Sequence, residues 1–393
     1  MIQHHPMPPS QLRRRTFLAS LAASSFASAS EAPTLRAAII GHTGRGDYGH
    51  GLEKIFADRQ GITLCAIADP DPAGRSRTAA AIGAPRSYAS WREMLAAEKP
   101  DLVCVAMRHA DQHAEIITAC LAAGAHVYAE KPLARDPAEC DAITAAATAS
   151  GKCCAVAHTT RLAPLIQSLQ LALQQGWAGE LVTMQAFGKQ DQRAGGEDLM
   201  VLGSHLMDLM RCFAGDPLWC SARVLTAGRD ITRNDARLVR DNVGPVAGDE
   251  IFAHFAFPHG INATFTSTAR LRSITGFWGL ELTGTKRSIR IELDTPALVR
   301  FRPTPPAGSN STQEDQWEAF TPSAAGLPDT PPHAANAVTD WLAAIREKRT
   351  PICSAHHAAQ AIEMVCAVYE AALTGSRASF PLANRSHPLG TPR

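Results

Sequence analysis

The sequence has no Cys-x-x-Cys pair, although it holds ten cysteines. Cys65, Cys104, Cys120, Cys212 and Cys366 each lie in an apolar run, where a free thiol behaves as a small core hydrophobe. That argues against a zinc ribbon or a disulfide framework, and vicinal Cys153 and Cys154 read as packing residues on a strand. Charge of either sign is not in excess: 38 Lys and Arg face 37 Asp and Glu, which leaves no broad basic footprint for nucleic acid. The N-terminal apolar stretch is interrupted by serines and falls short of the roughly 20 residues a membrane-spanning helix needs, so no membrane anchor is expected. What remains is an ordinary α/β composition in 393 residues, enough for two domains that each bury a core.

Arg14-Arg15-Thr16-Phe17-Leu18 precedes an Ala- and Ser-rich run ending in Ala27-Ser28-Ala29. A basic start, a short apolar middle and a small-x-small end are the parts of an export signal, so residues 1–29 are expected to direct the chain to the periplasm and be removed. The leader resembles a twin-arginine signal, whose route carries folded, often cofactor-loaded proteins. Losing its three arginines would take the charge from +1 to about −2, because residues 1–29 hold no Asp or Glu.

The first domain is expected over residues 35–158. An apolar stretch at 35–40 runs into Gly41-His42-Thr43-Gly44-Arg45-Gly46, and residues 48–59 suit a helix. Strand, glycine turn and helix in that order are the context of a dinucleotide fingerprint: glycines let the backbone approach a pyrophosphate, and the helix start offers it N–H groups. Thr43 stands where the second glycine of G-x-G-x-x-G would be. The next apolar stretch, 62–68, ends in Asp69, where a carboxylate suits ribose hydroxyls and repels a 2′-phosphate. That favours NAD, while nearby Arg75 keeps NADP open. Further apolar stretches at 102–106, 126–129 and 152–157 alternate with helical patterns at 112–123 and 137–149, which implies a parallel sheet covered on both faces. One of these strands ends in Glu130-Lys131-Pro132, placing a lysine at the carboxyl edge of the sheet, where open α/β folds bind ligands.

Gly41, Gly44, Gly46, Asp69, His113-Ala114-Glu115 and the run Ala123-Gly124-Ala125-His126-Val127-Tyr128-Ala129-Glu130-Lys131-Pro132 together resemble the glucose–fructose oxidoreductase, inositol dehydrogenase and rhizopine-catabolism (Gfo/Idh/MocA) family, over residues 35–382. The resemblance implies an α/β protein: an N-terminal Rossmann dinucleotide-binding domain, then a C-terminal α+β domain at 159–382 with an open, mainly antiparallel sheet whose exposed face forms homo-oligomers. It also implies that Gly41, Thr43, Gly44, Arg45, Gly46, Asp69, Arg108, His113, Glu130 and Lys131 surround a bound NAD or NADP. The family commonly has Thr-Pro where this chain has Arg108-His109, so the contacts there are altered.

In the second domain, Val201, His205 and Asp208 share one face of a helix, and Asp198 returns to that side two turns earlier. The family's helix reads Asp-x-Gly-x-His-x-x-Asp. Gly203, His205 and Asp208 match it, but Val201 replaces the first Asp. An alcohol that gives up a hydride must also lose a proton, and histidine has the proton affinity to take it. Lys131 would favour the developing alkoxide. Lys131 and His205 are therefore the catalytic candidates, and Val201 leaves His205 without an orienting carboxylate unless Asp198, Glu197 or Asp208 supplies one. Lys189, Asp191 and Arg193 suit contacts to a hydroxyl-rich, carbohydrate-like substrate. His205 and Asp208 offer only two metal ligands, and no metal is expected.

Strands are expected at 250–257, 261–268, 279–283 and 288–293, a Pro-, Ser- and Gly-rich surface excursion at 303–332, closing helices at 333–346 and 356–373 with Ser354 as a cap, and a loose tail at 383–393. The reading is an NAD(P)-dependent oxidoreductase acting on a sugar, cyclitol or related polyol, with the cofactor tightly held because the periplasm offers little free nicotinamide. Two alternatives stand beside it: an NAD-dependent glycosidase working by transient oxidation and elimination, and a non-catalytic cofactor- or sugar-binding module.

Overall fold

The structure is a computed structural model that describes residues 34–271, 277–293, 298–304, 317–328 and 336–390. The export signal expected at 1–29 lies outside the described residues, as do parts of the excursion expected at 303–332.

Six short segments, β1 (Leu35–Ile40), β2 (Ile62–Ala68), β3 (Ser87–Tyr88), β4 (Leu102–Val105), β5 (His126–Ala129) and β6 (Cys154–Val156), form a parallel sheet in the order β3-β2-β1-β4-β5-β6. All of β4, Leu-Val-Cys-Val, is buried, as expected for a strand covered on both faces. Helices α1 (Pro72–Ile82), α2 (Trp91–Glu98), α3 (His113–Ala122) and α4 (Pro137–Ser150) link successive strands from β2 onward. Asp71, Ser90 and Asp136 start α1, α2 and α4 by accepting bonds from the Gly74, Glu93 and Glu139 amides. The strand order reverses direction between β1 and β4, which opens a crevice at their carboxyl ends.

The link from β1 to β2 departs from the sequence reading. Instead of an α-helix over 48–59 there is a 3-10 segment, Gly49–Lys54, in which His50 (φ 52°) and Gly51 (φ 76°) turn left-handed. An α-helix cannot pass through such residues, so the fan of N–H groups expected to meet a pyrophosphate is not built by a helix here.

The second domain contains α5 (Pro164–Gln174), β7 (Leu181–Phe187), α6 (Gly196–Val201), α7 (Gly203–Ala214), β8 (Trp219–Thr226), β9 (Arg229–Asp230), β10 (Glu250–Ala256), β11 (Asn262–Thr268), β12 (Gly279–Gly284), β13 (Arg287–Glu292), β14 (Leu298–Pro303), β15 (Glu318–Ala319), α8 (Ala337–Glu347), α9 (Ala355–Thr374) and β16 (Ala378–Ser379). Its sheet runs β15-β14-β13-β12-β7-β11-β10-β8-β16, with β9 paired to β8. Among these described strands every pairing is antiparallel except β7 with β11. Ser354 caps α9 by accepting from the His357 amide.

Two boundaries shift. Helix α8 completes the first domain's core: Trp341 is fully buried against Phe56 and Tyr128, with ring centroids 6.4 and 5.7 Å away, and packs with Ile39 and Ile67. It covers apolar surface of the parallel sheet beside the stretch 49–59, which forms no α-helix. Nor is the tail loose over its described residues, 383–390. Arg385 bonds both oxygens of Asp141 at 2.8 Å and pairs with buried Glu363, while His387 and Leu389 are buried. All ten cysteines are free thiols, eight of them buried.

Candidate active site

Lys131 follows β5 at the carboxyl edge of the parallel sheet and is 8% exposed. Its ammonium donates to the main-chain carbonyl of Val201 at 3.3 Å. Glu130, wholly buried, accepts from the Lys131 amide at 2.6 Å and contacts His50. The backbone passes so close at Gly49 that any side chain there would collide with the Glu130 carboxylate and Arg108. Loss of hydration holds Lys131 below the usual lysine pKa; Glu130 opposes this, and the charges of Arg193 and Arg108 add to it.

Val201, His205 and Asp208 do not lie on one continuous helix. α6 ends at Val201, the chain kinks at Leu202 (φ −114°), and α7 begins at Gly203. Position 201 therefore offers Lys131 a carbonyl oxygen in place of the carboxylate usual in the family. His205, in the first turn of α7, lines a cavity of about 360 Å³ with Lys131, Arg108, Lys189, Arg193, Asp241 and Trp278. Lys189 lies 5.3 Å from the centre of the Trp278 ring, and Asp191 stays off the cavity wall and fixes Arg193 through bonds of 2.5 and 3.1 Å. Enclosure, and then the charge of Lys131, pushes His205 well below the usual imidazole pKa, with His158 and His50 acting the same way.

None of the acids proposed to orient His205 does so. Asp198 is fully buried and accepts from the Ser267 hydroxyl (2.6 Å) and the Gln190 and Lys189 amides (3.0 and 3.3 Å), which fixes the end of β7. Asp208 is taken by Arg161, whose Nε and Nη2 bind its two oxygens at 2.8 Å each. Glu197 is absent from the cavity wall, and burial followed by Asp241 raises its pKa.

At the glycine loop, a second hollow of about 210 Å³ opens between Gly41, His42, Ala68, Pro70, Trp91 and Met107, at the ends of β1, β2 and β4. Gly44 (φ +78°) faces open space, and Gly46 presses so closely on the Arg108 and His109 amides that a Cβ would lie 2.7 Å from each. Arg108 Nε donates to the Gly46 carbonyl at 3.3 Å, and Arg45 pairs with Asp111. One hollow thus touches the loop at Gly41 and the other reaches Arg108 beside Gly46, which fits a dinucleotide laid along the sheet edge. Asp69 is the exception. Its carboxylate is buried and already accepts from the Thr43 amide and hydroxyl (3.1 and 2.7 Å), the Tyr48 hydroxyl (2.9 Å) and the Asp71 amide (3.0 Å). Ribose hydroxyls would have to displace one of these. Burial, then the charge of Asp69, raises the Tyr48 phenol's pKa. His113 clamps two loops, its ring nitrogens 2.9 and 2.8 Å from the Pro132 and Met107 carbonyls, and contacts no open space.

Comparison with known proteins agrees with this architecture. Residues 35–158 match the Gfo/Idh/MocA profile for the oxidoreductase family's NAD-binding Rossmann fold, and residues 182–380 match the profile for its C-terminal alpha/beta domain. The chain belongs to the Gfo/Idh/MocA oxidoreductase family. Among curated relatives, a levoglucosan dehydrogenase from Pseudarthrobacter phenanthrenivorans is 25% identical over 57% of this chain and 63% of its own length. A D-apiose dehydrogenase from Paraburkholderia graminis is 24% identical over 81% of this chain and 84% of its own. This chain thus spans less than two thirds of the first of these relatives. A solved structure of levoglucosan dehydrogenase in complex with NADH and levoglucosan shares the fold, with a TM-score of 0.69 at 21% identity over 88% of this chain and 99% of that one.

Within this family member, sequence reasoning missed four groups that the fold brings to the cavity or its floor: His50, Asp241, Trp278 and His158. His158, two residues past β6, is 2% exposed, and neither ring nitrogen has a hydrogen-bond partner among the described residues. Such a group costs about 1–3 kcal/mol when left unpaired in a protein interior. Trp278 Nε1 is likewise buried without a partner among the described residues. No sequence signal marked these, because each reaches the site from a different part of the chain.

Proposed function

We propose that this chain is an NAD(P)-dependent oxidoreductase that moves a hydride between a hydroxyl-bearing carbon of a sugar, cyclitol or related polyol and nicotinamide. The carrying observation is the shared cavity of Lys131 and His205 at the switch-point edge of a Rossmann sheet. The levoglucosan dehydrogenase and D-apiose dehydrogenase among its relatives lend support for a carbohydrate substrate. NAD is favoured over NADP, since a carboxylate ends β2 and Arg75 is turned to the Asp69 main-chain carbonyl at 2.7 Å.

Nicotinamide, when bound, accepts or returns the hydride. Lys131, held by the Val201 carbonyl, positions the reacting oxygen and favours its negative charge. His205 is neutral at pH 7 because its pKa is depressed, and it takes the hydroxyl proton. Trp278 and Leu202 supply apolar wall, while Lys189, Arg193 and Asp241 meet substrate polar groups. We further propose that a twin-arginine leader exports the folded chain with its cofactor tightly bound, and that it forms homo-oligomers through the open face of the second sheet, where Phe252 is 40% exposed.

The test is to denature the purified mature protein, identify any released nicotinamide, and follow its redox state with candidate sugars and cyclitols. Release of a cofactor whose redox state responds to one of them is expected. A folded chain that neither carries nor binds nicotinamide in a fluorescence titration overturns the proposal.

A further inference from the structure

Behind His205 lies a second imidazole whose ring nitrogens have no hydrogen-bond partner among the described residues. His158 and His205 stand 5.6 Å apart between ring centroids, edge to face at 60°. An N–H···N bond of about 3 Å between two imidazoles would place their centroids roughly 5 Å apart, so a small ring rotation or one bridging water joins them. On its other side, His158 Nδ1 is 3.7 Å from Asp208 Oδ1, beyond hydrogen-bond range but close enough to stabilise an imidazolium. Asp208 cannot swing away, because Arg161 grips both its oxygens. The charged and titratable groups facing His158 are Asp208 and His205 from α7, Arg161 from the turn before α5, and Lys131 and Glu130 from the end of β5. Cys353, from the segment before α9, donates to its main-chain carbonyl at 3.1 Å.

We propose that His158, backed by Asp208, is a positioning residue that orients His205 and accepts its proton, standing in for the carboxylate that Val201 lacks. The proposal rests on the hydride-transfer reading above. In the oxidation direction the substrate O–H bond breaks as an N–H bond forms on His205, and the electron pair of the neighbouring C–H bond leaves as hydride to nicotinamide. The proton on His205 then passes to the unprotonated nitrogen of His158, which restores neutral His205. It returns to solvent when product leaves. Two unpaired ring nitrogens in a buried imidazole suit this role: one must donate and the other accept as the proton moves, so neither is committed to a fixed partner.

Two measurements test it on the full mature chain. In the first, NAD+ reduction is followed with levoglucosan, myo-inositol and D-glucose as hydride donors, for the parent and for His158→Phe and His158→Gln. Both variants are expected to lose about 10²-fold in kcat with KM within about threefold, and to retain NADH affinity by fluorescence. Introducing V201D beside H158F is expected to recover at least about tenfold, because the added carboxylate takes over the task, and a merely structural role would show no such rescue. In the second, ring-¹⁵N NMR of the protein without substrate follows both imidazoles: His205→Asn should shift the His158 titration, and H158Q the His205 titration, by about half a pH unit or more each. Wild-type kcat in both His158 variants, a loss that V201D fails to rescue, or independent titration of the two rings would each overturn the inference. A parent that binds NADH yet turns over none of the three donors would overturn the oxidoreductase reading on which it stands.

Discussion

The two ends of the cleft are built on opposite principles. At the glycine loop the key carboxylate is satisfied before any ligand arrives: Asp69 accepts from Thr43, Tyr48 and Asp71. At the lysine end the key groups are left open: the His158 ring nitrogens and Trp278 Nε1 have no hydrogen-bond partner among the described residues, and Lys131 is held by one main-chain carbonyl. Satisfied polar groups hold a loop in one shape, whereas unsatisfied ones in a buried site raise the energy of the empty state and favour whatever fills it. The first end is ordered for its own stability, and the second is poised for chemistry.

The largest effect expected on this contrast comes from Lys131→Ala. Removing the buried ammonium proposed to hold the reacting oxygen should lower kcat by about 10³-fold, while NADH affinity, expected to be set mostly at the glycine end, changes little. Steady-state kinetics paired with fluorescence titration separates the two. If cofactor affinity collapses instead, the two ends are not independent and the contrast breaks.

A smaller effect is expected from restoring the family's acid with Val201→Asp. The base must be neutral to act, so activity falls as pH drops through the pKa of His205. In the parent that pKa lies well below the usual imidazole value, and the acid limb of kcat/KM should therefore lie below pH 6.5. A carboxylate nearby favours imidazolium, so V201D should move that limb upward by about one unit or more. The alkaline limb, where Lys131 loses its proton, should begin below the ordinary lysine value of 10.5 in the parent and move up in the variant as well. A pH–rate profile from pH 5 to 10 reads both. An acid limb unmoved by V201D would mean that His205 is not the titrating base.

Lys131 was legible in the sequence because everything that places it is contiguous: an apolar strand, then Glu130-Lys131-Pro132 at its end. The parallel sheet was legible for the same reason, since each strand is a short apolar run between helical patterns. The orienting partner of His205 was not. Reading 201–208 as one straight helix offered Asp208 as the partner of His205, but the helix is interrupted at Leu202 and Arg161 takes both oxygens of Asp208. His158 becomes a neighbour only because the turn that follows it, Thr159–Leu162, packs on α7. The missing helix after β1 turned on His50, a residue other than glycine in the left-handed region, which no spacing rule flags. Without that helix, Trp341, some 300 residues further on, covers part of the first sheet. Contiguous features carried over, and those made by distant contacts did not.

The smallest effect, and the one that tests the glycine end alone, is Tyr48→Phe. The Tyr48 ring covers Gly41 so closely that a side chain at 41 would strike it, and its hydroxyl donates to Asp69 Oδ2 at 2.9 Å. Phenylalanine keeps the cover and returns one acceptor position to Asp69. If Asp69 holds the ribose, the freed lone pair should tighten NAD+ binding by about 1 kcal/mol, roughly fivefold, because a net hydrogen bond is worth about that much. The Thr43 and Asp71 bonds remain to hold the loop, so Tm should fall by only a degree or two for a domain of this size. Cofactor affinity that is unchanged or weaker in Y48F, with the fold intact, would show that Asp69 serves the loop and leaves the ribose to other groups. The contrast between the two ends would then be sharper: one end wholly structural at its carboxylate, the other carrying both recognition and reaction.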